Sequence, residues 1–192
     1  MKSDFIRDLG LGAEEREWLA VAIDTAQEAG NLLHQRFGEG HHIRYKGEKD
    51  LVTVMDLQAQ ELIISRLKSH FPDHTMLAEE GVADEETGVP CWIIDPLDGT
   101  TNYAHGLPFF AVSIGLEWAG TMRVGVVYSP PLAELFVGVR GKGAYLNGQK
   151  LTVSAVQTVK ESLLATGFIG KLLFPGSRVF RDFAAFSIRA HG

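Results

Sequence analysis

The chain has 192 residues, 45% of them apolar and 22% charged, which is enough material for a globular protein of one domain or two small lobes. Its formal charge of -6, with Lys and Arg scattered, leaves no basic footprint for direct nucleic-acid binding. Met1 to Trp18 holds no apolar core of signal-peptide length and no later run reaches membrane-spanning length, so a cytoplasmic protein without membrane contact is expected.

From Glu14 to Phe37, Leu19, Ala22, Ile23, Ala26, Leu33 and Phe37 recur at three- and four-residue steps, which predicts an amphipathic helix ended near Gly38. A polar stretch from His41 to Lys49 follows, with a short strand around Ile43 to Tyr45. Thr53 and Asp56 have capping-box spacing, and Leu62, Ile63, Leu67 and Phe71 supply the apolar face of a second helix up to Pro72. Beyond Pro72 the texture changes to short apolar runs punctuated by turn residues. Thr75 to Ala78, Cys91 to Ile94, Phe109 to Trp118, Arg123 to Tyr128, Leu135 to Arg140 and Leu151 to Ser154 read as strands, with hairpin turns at Ala119-Gly120 and Asn147-Gly148. Another strand near Leu163 to Gly167 and a helix around Arg181 to Ile188 complete the chain. Two helices leading into a largely antiparallel sheet indicate a layered α+β fold. The lone Cys91 reads as a small buried core residue, and the Phe109-Phe110 pair as core. His70 and His74 have zinc-like spacing, but Pro72 breaks the helix that would align them.

Three acidic segments stand at the ends of these elements: Asp50 to Asp56, Glu79-Glu80, and Asp95-Pro96-Leu97-Asp98-Gly99-Thr100-Thr101. Pro96 is expected to end the strand at Asp95 and turn the chain, so that both aspartates and the Leu97 carbonyl converge while Gly99 and Thr100 start a short helix. Amides there suit a phosphate oxygen. An oxygen-only donor set is what magnesium requires. Two like charges ~4 Å apart repel by about 4 kcal/mol at an effective dielectric near 20, so convergence of Asp56, Glu79, Asp95 and Asp98 calls for bound cations.

Trp92 to Tyr103, followed by Gly106-Leu107-Pro108 and Val112-Ser113-Ile114, resembles the signature of the inositol monophosphatase family. Asp50 to Asp56, Glu79-Glu80, the Gly125-Val126-Val127-Tyr128 strand and the Gly141 to Gly148 hairpin follow in the family's order, and the resemblance runs from about Glu15 to Ser154. It implies a layered α/β/α/β fold, with residues 1–154 as the α+β part carrying the metal site and 155–192 as the start of an incomplete C-terminal α/β segment. The implied activity is Mg2+-dependent hydrolysis of a small phosphorylated polyol or sugar, most simply inositol monophosphate. Fructose bisphosphatase, histidinol phosphatase and 3'(2'),5'-bisphosphate nucleotidase share the metal core. A role as an accessory protein-binding partner in transcription or RNA processing is the alternative outside enzymology.

Carried over by the same resemblance, Glu79, Asp95 and the Leu97 carbonyl would hold one magnesium, with Asp95 bridging to a second ion that Asp98 also binds. Glu79 and Thr100 would orient the attacking water, and Asp56 would support Thr100. Asp98, the Gly99 and Thr100 amides and Lys46 would meet the substrate, although Lys46 taken alone reads equally as a solvated loop lysine. A homodimer is implied for a full-length chain. The family's later Trp-Asp segment, which supplies the remaining ligand of the second ion, has no counterpart here: Trp18, Trp92 and Trp118 are followed by Leu, Ile and Ala. A C-terminally truncated fragment of an ordinary phosphatase, or else a natural short form that has lost turnover, is therefore expected, with low activity, uncovered apolar surface and a tendency to self-associate.

Overall fold

The computed structural model describes residues 2–39, 43–45, 51–79, 81–83, 88–167 and 174–190. The chain divides into two compact units, Met1–Leu151 and Thr152–Gly192.

In the first unit, α1 (Lys2–Asp8) precedes the long α2 (Ala13–Arg36). Glu15 accepts the Gly12 amide at 3.3 Å, satisfying one donor at the entry of α2. Trp18, Leu19, Ala22, Ile23, Ala26, Ala29 and Leu33 form its buried stripe, and Phe37 leaves it in extended conformation. Two short strands, β1 (Ile43–Tyr45) and β2 (Leu51–Thr53), pair antiparallel before α3 (Val54–His70). The helix α3 buries Met55, Ala59, Ile63 and Leu67 at four-residue steps.

The remaining strands form one sheet: β3 (Thr75–Ala78), β4 (Val82–Ala83), β5 (Cys91–Asp98), β6 (Ala111–Trp118), β7 (Thr121–Ser129), β8 (Glu134–Val139), β9 (Gly143–Leu146) and β10 (Gln149–Lys150). Their spatial order is β10-β9-β8-β7-β6-β5-β3-β4, and all neighbours are antiparallel except β3 and β5. Ala119 and Gly120, and Asn147 and Gly148, all take positive φ, the geometry that two-residue hairpins need to match strand twist.

One face of the sheet is core. Trp92, Ile94, Val112, Ile114, Leu116, Val124, Val126, Val137 and Val139 are buried there. Tyr128 closes this face against α2 so tightly that a Cβ on Gly30 would lie 2.5 Å from its ring. The opposite face is open: Leu77, Ile93, Met122 and Val127 are 46%, 36%, 47% and 36% exposed.

Several expectations change. The β5 strand does not stop at Ile94 but runs through Pro96 to Asp98. The segment from Leu151 to Ser154 is not a strand; the last pairing is the β9–β10 hairpin across Asn147-Gly148, because that turn returns the chain two residues earlier. Cys91 is half-buried rather than core, since it shares strand parity with the exposed Ile93. Phe110 is 3% exposed but Phe109 is 64% exposed, so only one of the pair belongs to the core.

In the second unit, a 3₁₀ turn (Val159–Glu161) is followed by residues 162–167 without regular structure, and α5 spans Arg178–Ser187. Ser177 caps α5, its hydroxyl accepting the Phe180 amide at 3.1 Å. The strand expected near Leu163 to Gly167 is absent: among the described residues of this unit no second strand offers its backbone a ladder.

Candidate metal and phosphate site

The acidic run gains its geometry from a β-bulge. Asp95 pairs with Ser113 and Asp98 with Ala111, so three steps along β5 match two along β6. The extra residue changes the strand's parity. Without it, residues three apart would face opposite sides of the sheet. With it, Trp92 and Ile94 and then Leu97 point into the core, while Asp95 and Asp98 share the other side. Pro96 is at home here because a bulge does not require its missing N–H. The chain therefore slips register at Pro96 where a turn was expected.

Gly99 follows at φ 92 and starts α4 (Thr100–Ala104). A side chain at this position would be strained in that left-handed conformation and would also meet the Phe109 carbonyl at 3.0 Å. Two side chains of α4 anchor the segment. Asn102 donates its amide to the Phe109 carbonyl at 2.8 Å, and the buried Tyr103 hydroxyl donates to the Leu33 carbonyl near the end of α2 at 2.8 Å. Burial, with Glu39 and Asp56 nearby, pushes the Tyr103 phenol up to about 12, which keeps this donor protonated.

Thr100 joins the run to α3. Its hydroxyl lies 2.8 Å from Asp56 Oδ1 and 3.0 Å from the Leu97 carbonyl. Asp56, 1% exposed in the first turn of α3, thus meets a residue 44 positions later. Its predicted role was partly that of a cap for its own helix. The side chain of Thr53, the other half of that cap, lies outside the described side chains. Asp95 Oδ1 accepts the Leu97 amide at 3.1 Å, which turns its carboxyl along the bulge towards Leu97.

Glu79 arrives from β3. Its amide donates to the Ile94 carbonyl at 3.2 Å, extending the parallel ladder by one residue and setting Glu79 beside Asp95. The two carboxyls share a hydrogen bond. Burial, then the charges of Glu79 and Asp98, push Asp95 up to about 7 from its ordinary 3.8. Among the described residues no basic side chain pairs with Glu79, Asp95 or Asp98.

These residues suit a hard divalent cation. The donors are all oxygen, and the burial and neighbouring negative charges that push Asp95 up are what a bound cation would offset. Among the described residues no three acidic, histidine or cysteine side chains already form a finished metal cluster. Glu79, Asp95, Leu97, Asp98, Gly99, Thr100 and Asp56 fall in one neighbourhood built from β3, β5, α3 and α4. Asp50, Glu80 and Lys46, with His41 and His42, lie outside the described residues. His70 and His74 part company: His70 Nδ1 lies 3.0 Å from the Arg66 carbonyl, whereas His74 meets Trp92.

Asn102 and Tyr103 were legible only as members of the motif. Their anchoring roles depend on the Phe109 carbonyl and on Leu33, partners that local sequence does not identify.

The description "Inositol monophosphatase family" matches residues 14–172. Over 154 residues the chain is 47% identical to Inositol monophosphatase 1 of Solanum lycopersicum, covering 78% of this chain and 56% of that protein. It is 41% identical over 154 residues to Nus factor SuhB of Vibrio cholerae, covering 78% and 57%. The crystal structure of extragenic suppressor protein suhB from Bartonella henselae superposes with a TM-score of 0.84 at 34% identity, over 92% of this chain and 69% of that one. The chain thus spans a little over half the length of the curated relatives it matches. A matching model over most of the chain, a shared α+β fold and the acidic bulge on β5 together place it in the inositol monophosphatase family.

Proposed function

We propose that the protein hydrolyses a small phosphate monoester of the inositol monophosphate type with the help of Mg2+. The observation that carries this is the gathering of Glu79, Asp95 and Asp98, with no basic partner among the described residues, beside the Gly99-Thr100 segment. Glu79, Asp95, Asp98 and the Leu97 carbonyl are the residues that would hold magnesium. When bound, such ions supply positive charge for the entering and leaving oxygens of an in-line displacement.

The chain's own residues supply the rest. The Thr100 hydroxyl, held by Asp56, orients water together with Glu79. The amides of Gly99 and Thr100, pointed by the positive φ of Gly99, take phosphate oxygens. Asp98 completes the substrate side, and Lys46 is assigned there by resemblance alone. A dimer of the full-length protein belongs to the same proposal.

The test is phosphate release from a panel of inositol monophosphate, fructose bisphosphate, histidinol phosphate and nucleoside bisphosphate with Mg2+, comparing the wild type with Asp95→Asn. Release above that of Asp95→Asn, greatest for inositol monophosphate, is expected. Equal release from both would overturn the assignment. The likeness to a protein named a Nus factor favours a second reading, a protein-binding role that does not need the carboxyls. Under that reading Asp95→Asn with Asp98→Asn would keep cellular function.

A further inference from the structure

We propose that His74 is an acid-labile pin: a neutral imidazole whose Nδ1 lone pair holds the Trp92 indole, fastening the starts of β3 and β5 to the helix layer until protonation releases them.

The geometry identifies the tautomer. Trp92 Nε1 lies 3.1 Å from His74 Nδ1. An indole N–H can only donate, so Nδ1 must accept, and the ring proton therefore sits on Nε2. An imidazolium cannot make this contact, because its Nδ1 proton would point at the indole proton. Trp92 is 0% exposed, so releasing the bond leaves a buried indole donor without its acceptor.

The ring is held on several sides. Phe71, just past the end of α3, stacks on it with centroids 4.8 Å apart and planes 13° from parallel. Trp18 of α2 approaches edge-on at 6.3 Å, and the Trp92 ring lies 6.1 Å away. The charged groups that act on it are Glu14 of α2 and Asp73 of its own turn, and both favour the imidazolium. Burial outweighs them and holds His74 below its ordinary 6.5.

The position makes the pin consequential. Met76 and Trp92 are partners in the parallel ladder between β3 and β5, whose far ends carry Glu79 and Asp95. Loosening the near ends therefore acts on the two strands that bring those carboxyls together.

The sign is fixed by linkage. A base with a depressed folded pKa binds more protons when unfolded, so its contribution is complete above about pH 6.5 and is lost as pH falls through the folded value. Asp95 acts in the opposite direction, but it is common to the wild type and to His74 variants, so a difference between them isolates the pin. In His74→Asn the amide oxygen can accept from Trp92 without titrating.

Thermal melting of wild type and His74→Asn in chelator, from about pH 8 to about pH 5, tests the proposal. The wild type should lose several degrees relative to the variant across that range, and a constant difference would overturn the pin. Imidazole 15N NMR of the wild type decides the matter even if the variant does not fold. A His74 Nδ1 without a proton and a titration midpoint below the ordinary value are expected; an Nδ1–H tautomer or an ordinary midpoint would overturn it.

Discussion

Thr100 has one hydroxyl proton and two acceptors within reach, the Asp56 carboxylate at 2.8 Å and the Leu97 carbonyl at 3.0 Å. Commitment to Asp56 leaves Thr100 oriented and the Leu97 carbonyl with a lone pair to offer elsewhere. Asp56→Asn and Thr100→Val should therefore each lower kcat/KM by about 10- to 100-fold, the usual penalty for removing a group that orients a metal-site neighbour. Steady-state phosphate release from the active protein measures it. A second residue-scale consequence comes from Asp95. An acid whose folded pKa is raised from 3.8 to about 7 binds more protons folded than unfolded, so it makes the chelated chain less stable as pH rises through that window. Melting curves in chelator should thus show a penalty near pH 7.5 that is missing near pH 4. Added Mg2+ should raise Tm more at pH 7.5 than at pH 5, and an equal rise at both would count against Asp95 as a ligand.

At the scale of elements, the site depends on how β5, α4 and α2 are allowed to approach. Gly99→Ala would place a methyl group in a left-handed conformation, costing about 1–2 kcal/mol, and against the Phe109 carbonyl 3.0 Å away. Loss of stability in denaturant melts should be accompanied by loss of activity, because the same shift displaces the amides of Gly99 and Thr100. Gly30→Ala provides the contrast. It forces the Tyr128 ring and Pro130 away from α2, an overpacking cost of about 1–3 kcal/mol, while leaving β5 untouched. That variant should melt earlier but keep its metal affinity. The helices α2 and α3 and the hairpin turns at Ala119-Gly120 and Asn147-Gly148 were legible because their signals are local, whereas α1 and the partner strand β2 were not foreseen. The bulge was not. Pro96 announces an irregularity, but whether the chain turns or slips by one residue is decided by the partner strand β6.

At the scale of the whole molecule, the first unit is one-sided. The helices α2 and α3 cover one face of the sheet, whereas Leu77, Ile93, Met122 and Val127 stand out on the other. Apolar surface of this kind favours association, so this 192-residue chain should show a mass that rises with concentration in light scattering. Substituting Ile93→Glu together with Val127→Lys should reduce that rise; a monodisperse wild-type monomer would remove the basis for it. Composition, helical and strand periodicity, turn residues and the order of the acidic motifs were enough to identify an α+β chain of this family and to nominate Glu79, Asp95, Asp98 and Thr100. These are properties of residue type and local spacing. The resemblance also implied that Asp56 supports Thr100, and the motif that both aspartates converge; that a bulge rather than a turn sets Asp95 and Asp98 on one face, and that Asp95 is pushed to about 7, were decided only by tertiary structure. Strand register, burial and the field of neighbouring charges arise from segments distant in sequence, and no local pattern encodes them.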